Sequence, residues 1–198
     1  MNVRRIVVKC TLVCAAALAL GALPSSRALA RTNNEQVSAK YHGPTAGLIK
    51  AVREATERFK DVRVAEAEGY SLMFGCVSGP DSGAMGLHYV NLPLVLDGVL
   101  DPSKPEIIIY EPLPNGRLRM TGADFLVFAE DWHNSNAATP ELQGQLLHLF
   151  ESPNRFGLPN FYTLHVWAWK DNPFGTFTNW NPAVSCDAFT PPTTPTAQ

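Results

Sequence analysis

The apolar positions between residues 45 and 60 recur at helical spacing. Four apolar residues lie three or four positions apart, namely Leu48, Val52, Ala55 and Phe59, and charged residues lie on the other face. This spacing predicts an amphipathic helix whose apolar face packs on the rest of the protein. Asp61 is suited to cap a second short helix that follows, and Gly69 is well placed to end it.

From Tyr70 onward the pattern changes to short apolar runs separated by Gly, Pro and Asn, which is typical of strands and ordered loops. We predict strands over residues 86–90, 106–110, 117–128 and 161–169. The turn residues of 112–116 predict that the second and third strands form an antiparallel hairpin. Residues 141–150 favour a short helix, and residues 172–186 favour a long loop. The fold class predicted is therefore α+β, with N-terminal helices packed on a mainly antiparallel sheet or small barrel.

The first thirty residues have the pattern of a cleavable signal peptide. Basic residues precede an apolar run over residues 10–23, and Ala28-Leu29-Ala30 offers a small-residue cleavage site. The mature protein is predicted to begin near Arg31, in the periplasm or outside the cell. The apolar run is shorter than the ~20 residues that cross a bilayer, so no membrane anchor is expected after cleavage. Arg4-Arg5 also fits a twin-arginine signal, but a secretory signal is favoured because paired arginines are common in basic leaders.

The rest of the chain divides into three predicted parts: a flexible N-terminal segment over residues 31–43, a single α+β domain over 44–189, and a disordered Pro/Thr tail over 190–198. Loss of residues 1–30 reduces Lys plus Arg from 16 to 12 against 18 Asp plus Glu. The mature chain is thus mildly acidic and has no basic cluster, which argues against nucleic acid as a partner. Nothing in the sequence predicts the oligomeric state.

Cys76 and Cys186 are the two cysteines that remain after cleavage. An even pair in an oxidising compartment predicts a disulfide between them. Two buried thiols, or two metal ligands, are the alternatives.

Several common catalytic motifs are absent from the sequence. Neither of the Gly-rich stretches 75–79 and 79–83 centres a Ser as G-x-S-x-G requires. The chain also has no phosphate-binding Gly-Lys-Ser/Thr loop, no G-x-G-x-x-G after a strand and no H-E-x-x-H. Nucleotide-dependent chemistry and the common hydrolase classes are therefore disfavoured.

Polar residues on predicted strand faces that are otherwise apolar give the main chemical signal. Asp124 shares its face with large apolar side chains, and His165 shares its face with Trp167 and Trp169. A buried carboxylate needs a cation or strong hydrogen-bond donors, or else it takes up a proton. His88 lies within another strand, and Glu111 ends a third. Two imidazoles and two carboxylates predict a site for Fe, Mn, Cu or Zn inside the sheet.

Structural roles are the alternative for each of these residues. A strand histidine is often a core residue with a hydrogen-bond partner, Glu111 before a proline suits a solvated strand end, and Asp124 can accept bonds from amides. Candidate ligands spread over about eighty residues have no diagnostic spacing. The remaining histidines, His42, His133 and His148, lie in polar or helical surroundings and are predicted to be on the surface.

Several segments resemble a family of exported bacterial proteins that are usually described as hypothetical and have no established activity. The resemblance covers most of the mature chain and is carried by Gly83–Asn91 (GAMGLHYVN), Ile108–Pro112 (IIYEP), Phe161–Lys170 (FYTLHVWAWK), Asn179–Pro182 (NWNP) and Cys186. That family usually has Glu at the position of Asp124, so this chain departs there while keeping a carboxylate. The resemblance implies the extent of the domain and supplies no function.

Three hypotheses for function follow. The first is an exported metal-binding protein, an oxidoreductase or lyase of cupin-like design, with nitrogen ligands from the two strand histidines and oxygen ligands from Glu111 and Asp124. The second is a binding protein without a metal whose aromatic pocket takes an apolar or sugar-like small molecule and is lined by Phe161, Tyr162, Trp167, Trp169 and Trp180. The third is an envelope protein in which these aromatic residues are only core.

Overall fold

The structure is a computed structural model in which residues 44–191 are described. The predicted signal peptide, the predicted N-terminal segment and residues 192–198 of the predicted tail lie outside the described residues. His42 lies outside them as well.

The described part begins with two helices, as the spacing of apolar residues predicts. Helix α1 spans Pro44–Thr56 and continues into a 3₁₀ turn over Glu57–Lys60, and helix α2 spans Val62–Ala67. The apolar face of α1 and the 3₁₀ turn is buried at Leu48, Val52 and Phe59. Asp61 caps α2, because its side chain accepts a hydrogen bond from the backbone N–H of Arg63 at 3.1 Å.

A six-stranded, strongly curled antiparallel sheet forms the rest of the core and confirms the α+β class. The elements in chain order are β1 (Ser71–Gly79), β2 (Gly83–Val90), α3 (Leu92–Asp97), β3 (Ile107–Pro112), β4 (Leu118–Phe128), α4 (Ala129–His133), β5 (Glu141–Leu142), β6 (Gln145–Leu146), β7 (His148–Phe150) and β8 (Phe161–Val166). Neighbouring strands of the six-stranded sheet follow the order β1-β2-β3-β4-β8-β7. The predicted hairpin is confirmed as β3 and β4, which pair in antiparallel register.

The helix predicted over residues 141–150 is wrong. The small hairpin β5–β6 and the edge strand β7 occupy this stretch instead. Gln143 and Gly144 both have positive φ, at 47° and 81°, and a two-residue turn of this kind reverses the chain between short strands. The strand predicted to reach residue 169 ends at Val166, and strand β1 and helices α3 and α4 were not predicted.

Each face of the sheet carries its own apolar cluster. One face, which includes Tyr110 and Phe125, packs against α1 and the 3₁₀ turn, and the Tyr110 hydroxyl donates to the Phe59 carbonyl at 2.6 Å. The opposite face carries a second apolar cluster that includes Ile107 and Ile109. Because successive residues of a strand alternate between faces, the second face is the one that also receives the candidate ligands.

Gly122 in β4 makes a backbone contact that leaves no room for a side chain. A Cβ at this position would lie 2.1 Å from the carbonyl oxygen of Val166 in β8. We expect Gly122→Ala to lower the free energy of unfolding by about 2 kcal/mol, since strands rather than a flexible side chain must shift. Urea denaturation measures this loss. Gly47→Ala in α1 is the control and should not destabilise, because its Cβ would meet only the end of the Gln143 side chain at 3.2 Å. Equal stability of wild type and Gly122→Ala would contradict the prediction.

Candidate metal centre

The sheet brings together three of the four predicted ligands, His88, Asp124 and His165. Asp124 in β4 pairs directly with His165 in β8. Asp124 also pairs with Ile107 of β3, and His88 of β2 pairs with Ile109 of the same strand. Directly paired residues of an antiparallel sheet point to the same face. The three polar side chains therefore converge on the face of the second apolar cluster.

The donor atoms of the three side chains form a compact, buried group. One ligand atom from each residue can be chosen so that all three lie within 4.8 Å of one another. Their exposed fractions are 4% for His88, 6% for Asp124 and 1% for His165. Two donors bound to one tetrahedral metal at 2.0–2.2 Å lie about 3.3–3.6 Å apart. Binding therefore requires any pair of donors at the 4.8 Å limit to approach by a little more than about 1 Å.

His88 is held in an orientation that suits a metal ligand. Its Nδ1 lies 3.1 Å from the carbonyl oxygen of Gly86. A proton on Nδ1 satisfies that contact and leaves Nε2 with a free lone pair, an arrangement common among metal-binding histidines. Gly86 has φ of 105°, and a Cβ there would lie 2.5 Å from the carbonyl oxygen of Tyr110. Burial lowers the pKa of His88 to about 4, so its ring is neutral at physiological pH.

His165 has no hydrogen-bond partner on either ring nitrogen among the described residues. Its ring stacks on Trp167 at 4.3 Å between centroids. Burial, with a further contribution from His88, holds the pKa of His165 well below its ordinary value. A metal-binding histidine usually directs its second ring nitrogen at a carbonyl, carboxylate or water, and His88 does so. No such group of the described chain serves His165.

Asp124 is a buried carboxylate that makes no ion pair among the described residues. The hydroxyl of Thr163 donates a hydrogen bond to its Oδ1 at 2.5 Å. Burial raises the pKa of Asp124 to about 7, although the hydrogen bond from Thr163 and those from nearby backbone amides oppose the rise. A cation placed beside the carboxylate would offset the cost of burying it.

Glu111, the fourth predicted ligand, is not part of this group. Its carboxylate receives two hydrogen bonds from Lys170, at 2.8 and 2.9 Å, and a bidentate contact from Arg119, its cross-strand partner. Burial alone would raise the pKa of Glu111, but the hydrogen bonds from Lys170 and Arg119 outweigh it and hold that pKa below its ordinary value. The candidate group therefore contains three of the four predicted ligands, and Glu111 lies apart from it with two cations that neutralise its charge.

A cavity of about 30 Å³ lies against two members of this group, His88 and Asp124, whereas His165 does not line it. Its polar wall comes from His88, Asp124, Thr163 and Asn179. The rest of the wall is apolar and is formed by Phe74, Met85, Ile107, Leu126, Phe150, Phe156, Leu158 and Phe161. The space is large enough for one or two water-sized ligands beside an ion.

The five aromatic residues of the alternative binding pocket do not share one site. Phe161 lines the cavity, whereas Tyr162 packs in the core on the opposite face of the sheet. Trp167 is buried against His165, and its indole N–H donates to the Thr178 carbonyl at 2.6 Å. Trp169 donates to the Thr56 hydroxyl, and Trp180 lies near Arg155. This distribution does not support a shared aromatic pocket.

Sequence reasoning missed several residues that complete the site. Thr163 lies two positions before His165, so strand alternation places it on the same face and was a usable signal. Phe74 lies in β1, 14 residues before His88, and Phe156 lies in the loop before β8, 9 residues before His165. No pattern in the sequence indicates that these two rings reach the cavity.

The predictions of a disulfide and of two surface histidines are confirmed. Cys76 and Cys186 form the predicted disulfide, with 5.7 Å between their Cα atoms. His133 and His148 are exposed, as expected.

Comparison of this chain with known protein families, with curated proteins and with solved structures finds no significant match. Within residues 44–191, every helix is too short or too polar to cross a membrane. The grounds for a function are accordingly the geometry and chemistry of the three buried ligands.

Proposed function

We propose that this protein binds one divalent transition metal ion through His88, Asp124 and His165. The observation that carries the proposal is the state of His165, whose two nitrogens are buried without partners beside a second imidazole and a carboxylate. Each unsatisfied buried polar group costs about 1–3 kcal/mol. One ion contacted by all three side chains would remove that cost and neutralise Asp124.

A purely structural role explains the same arrangement less well. A buried histidine that serves packing keeps at least one hydrogen bond, and a buried carboxylate usually has a cation nearby. Asp124 has the Thr163 hydroxyl and no ion pair among the described residues. Glu111 is a buried carboxylate that does have cations nearby, Lys170 and Arg119.

Two histidines and one carboxylate are an open ligand set. Non-haem Fe(II) enzymes use such a set, and catalytic Zn sites likewise take three protein ligands and keep one position free. Structural zinc sites are closed by four protein ligands. The donor set thus favours Fe(II) or Zn(II) within the predicted group of metals, and it favours chemistry on a small molecule over a structural ion.

The setting proposed for this activity is outside the cytoplasm. The leader-like first thirty residues support export. The Cys76–Cys186 disulfide is consistent with an oxidising compartment.

Metal content measured by elemental analysis tests the proposal. Wild-type protein incubated with Fe(II) or Zn(II) and then dialysed should retain about one ion per chain. His88→Ala, Asp124→Asn and His165→Ala should each weaken retention by more than about 100-fold, since loss of a ligand exceeds the effect of losing a residue that only supports one.

The matched control is His133→Ala, which removes an exposed histidine bonded to Tyr162 outside the group. It should retain metal as wild type does. Circular dichroism of each variant separates loss of a ligand from loss of fold, and the isosteric Asp124→Asn is the variant that disturbs packing least. Retention by wild type no greater than by the three ligand variants would overturn the proposal.

A further inference from the structure

The cavity beside the candidate metal centre has a polar side and an apolar side. His88 and Asp124 form the polar side, where the proposed ion would lie. Aromatic and aliphatic side chains form the opposite side, and no Lys or Arg is among the residues that line the cavity. Any molecule that reaches the ion from this cavity is therefore bound through the metal, with apolar contacts around it.

The size of the cavity limits what it can hold. Its volume of about 30 Å³ corresponds to two or three water-sized groups, because one water molecule needs about 10–15 Å³ of such space. A sugar ring or an aromatic ring does not fit in that space. The ligand compatible with the site is a molecule of two or three heavy atoms.

The net charge at the proposed metal centre limits the class of ligand further. A divalent ion with one carboxylate and two neutral imidazoles leaves a net charge of +1 at the centre. The lining residues supply no second cation to neutralise a multiply charged anion. A neutral molecule or a single negative charge matches this balance, whereas phosphate does not.

Two phenylalanine rings lie on the solvent-facing part of the cavity wall. Phe74 is 42% exposed, and Phe156 is partly exposed and contacts it edge-on at 5.4 Å between centroids. By contrast, Met85 and Ile107 on the cavity wall are buried. Phe150, Leu158 and Asn179 are the other partly exposed residues of the wall, so these five residues border the entrance to the cavity.

The backbone conformation at Phe74 and the hydrogen bonds of the loop that carries Phe156 fix the positions of the two rings. Phe74 has φ of 65°, an unusual value for a residue with a side chain. In the loop that carries Phe156, the Asn154 side chain accepts hydrogen bonds from the backbone N–H groups of Phe156 and Leu158 and donates one to the Leu158 carbonyl. Arg155 fastens this loop to β1 by donating to the Ser78 carbonyl at 3.1 Å.

We propose that the open position of the metal takes a neutral or singly charged ligand of two or three heavy atoms, and that Phe156 sets the upper limit on its size. This inference rests on the proposed function, because it requires an ion bound to His88, Asp124 and His165. Phe156 acts here as a specificity-determining residue and touches the ligand rather than the metal.

Cobalt(II) absorption spectroscopy on the purified protein tests the inference. Co(II) replaces Fe(II) or Zn(II) as a visible probe, and its bands change when a new ligand binds. Azide, which is linear and triatomic, should shift the bands of the Co(II) protein in a saturable titration. Imidazole at the same concentrations should leave them unchanged, with elemental analysis showing that the ion stays bound.

Enlargement of the entrance should change this selectivity. Phe156→Ala should bind imidazole about tenfold more tightly than wild type or better, while its affinity for azide changes little. Phe156→Leu is a milder second variant and should move in the same direction. Phe174→Ala makes the same substitution at a residue that is 61% exposed and outside the cavity, and it should behave as wild type.

The outcomes separate the two proposals. If Co(II) binds and azide does not shift its bands, the open position does not take such a ligand and the inference is wrong. If imidazole binds wild type as well as it binds Phe156→Ala, Phe156 sets no size limit and that part of the inference is wrong. If Co(II) itself does not bind, the proposed function fails and this inference fails with it.

Discussion

Replacement of both Cys76 and Cys186 by serine is expected to lower the free energy of unfolding by about 4 kcal/mol. The disulfide joins residues 110 positions apart, and this loop contains every strand of the main sheet except part of β1. Closing so long a loop restricts the unfolded chain strongly, which is the main source of the stabilisation. Urea denaturation of oxidised wild type and of the double variant measures the difference.

The matched control for this experiment is wild-type protein reduced with dithiothreitol, which should unfold at the same urea concentration as the double variant. The segment around Cys186 has other attachments: Ala84 pairs with Asn181, and the Ser185 N–H donates to Glu111 at 3.4 Å. These contacts should keep the native arrangement in the absence of denaturant. A double variant as stable as oxidised wild type would show that the disulfide contributes nothing to stability.

Strand alternation was sufficient to identify the core of the candidate site. Asp124 and His165 stand out because each occupies a position where the pattern requires an apolar side chain. The sequence gives no cross-strand register between β4 and β8, which are separated by more than thirty residues. The direct pairing of Asp124 with His165 is therefore a result of the fold and lies beyond the reach of the pattern.

Glu111 illustrates a signal that was present and not used. A hairpin with its turn over residues 112–116 places Glu111 opposite Arg117, and the structure moves the partner by two residues to Arg119. Either arginine argues for an ion pair instead of a metal ligand. The second cation, Lys170, comes from a loop far along the chain and follows only from the fold.

Local features explain why strand β1 and helix α3 were not predicted. In β1, Phe74 and Gly75 have positive φ and interrupt the register with β2, so the strand lacks a regular alternation. Helix α3 is short, yet its ends carry recognisable residues: Asn91 at the N-cap and Gly98 in a left-handed conformation after it. A short helix or strand buries too few residues to produce a recognisable spacing of apolar positions. The residues at its ends are then the only signal in the sequence.

Glu106 is a buried carboxyl outside the metal group, and it should make the stability of the protein fall as pH rises. It is completely buried, its Oε2 accepts a hydrogen bond from the Leu126 N–H at 3.1 Å, and its Oε1 has no partner among the described residues. Burial raises the pKa of Glu106 from 4.5 to about 8. The folded protein therefore keeps this proton at pH values where the unfolded chain has released it.

The sign of the pH dependence follows from that difference in bound protons. The contribution of neutral Glu106 is fully present below pH 4.5, declines at roughly 1.4 kcal/mol per pH unit, and is lost once pH passes about 8. In Glu106→Gln no proton is released at this position. We expect the stability of Glu106→Gln relative to wild type to rise by about 4 kcal/mol between pH 4 and pH 8.

Urea denaturation of metal-free protein at several pH values between 4 and 8 measures this change, with EDTA present so that metal binding does not contribute. Comparison with wild type cancels the titration of every group that does not interact with Glu106. Asp124 does interact with it, since its charge contributes to the raised pKa of Glu106, so the measured difference includes that coupling. Glu130→Gln makes the same substitution at an exposed glutamate in α4 and should keep a constant stability difference from wild type across the range. If Glu106→Gln also keeps a constant difference, Glu106 titrates normally in the folded protein, and its unpartnered Oε1 must be reached by water instead of carrying a retained proton.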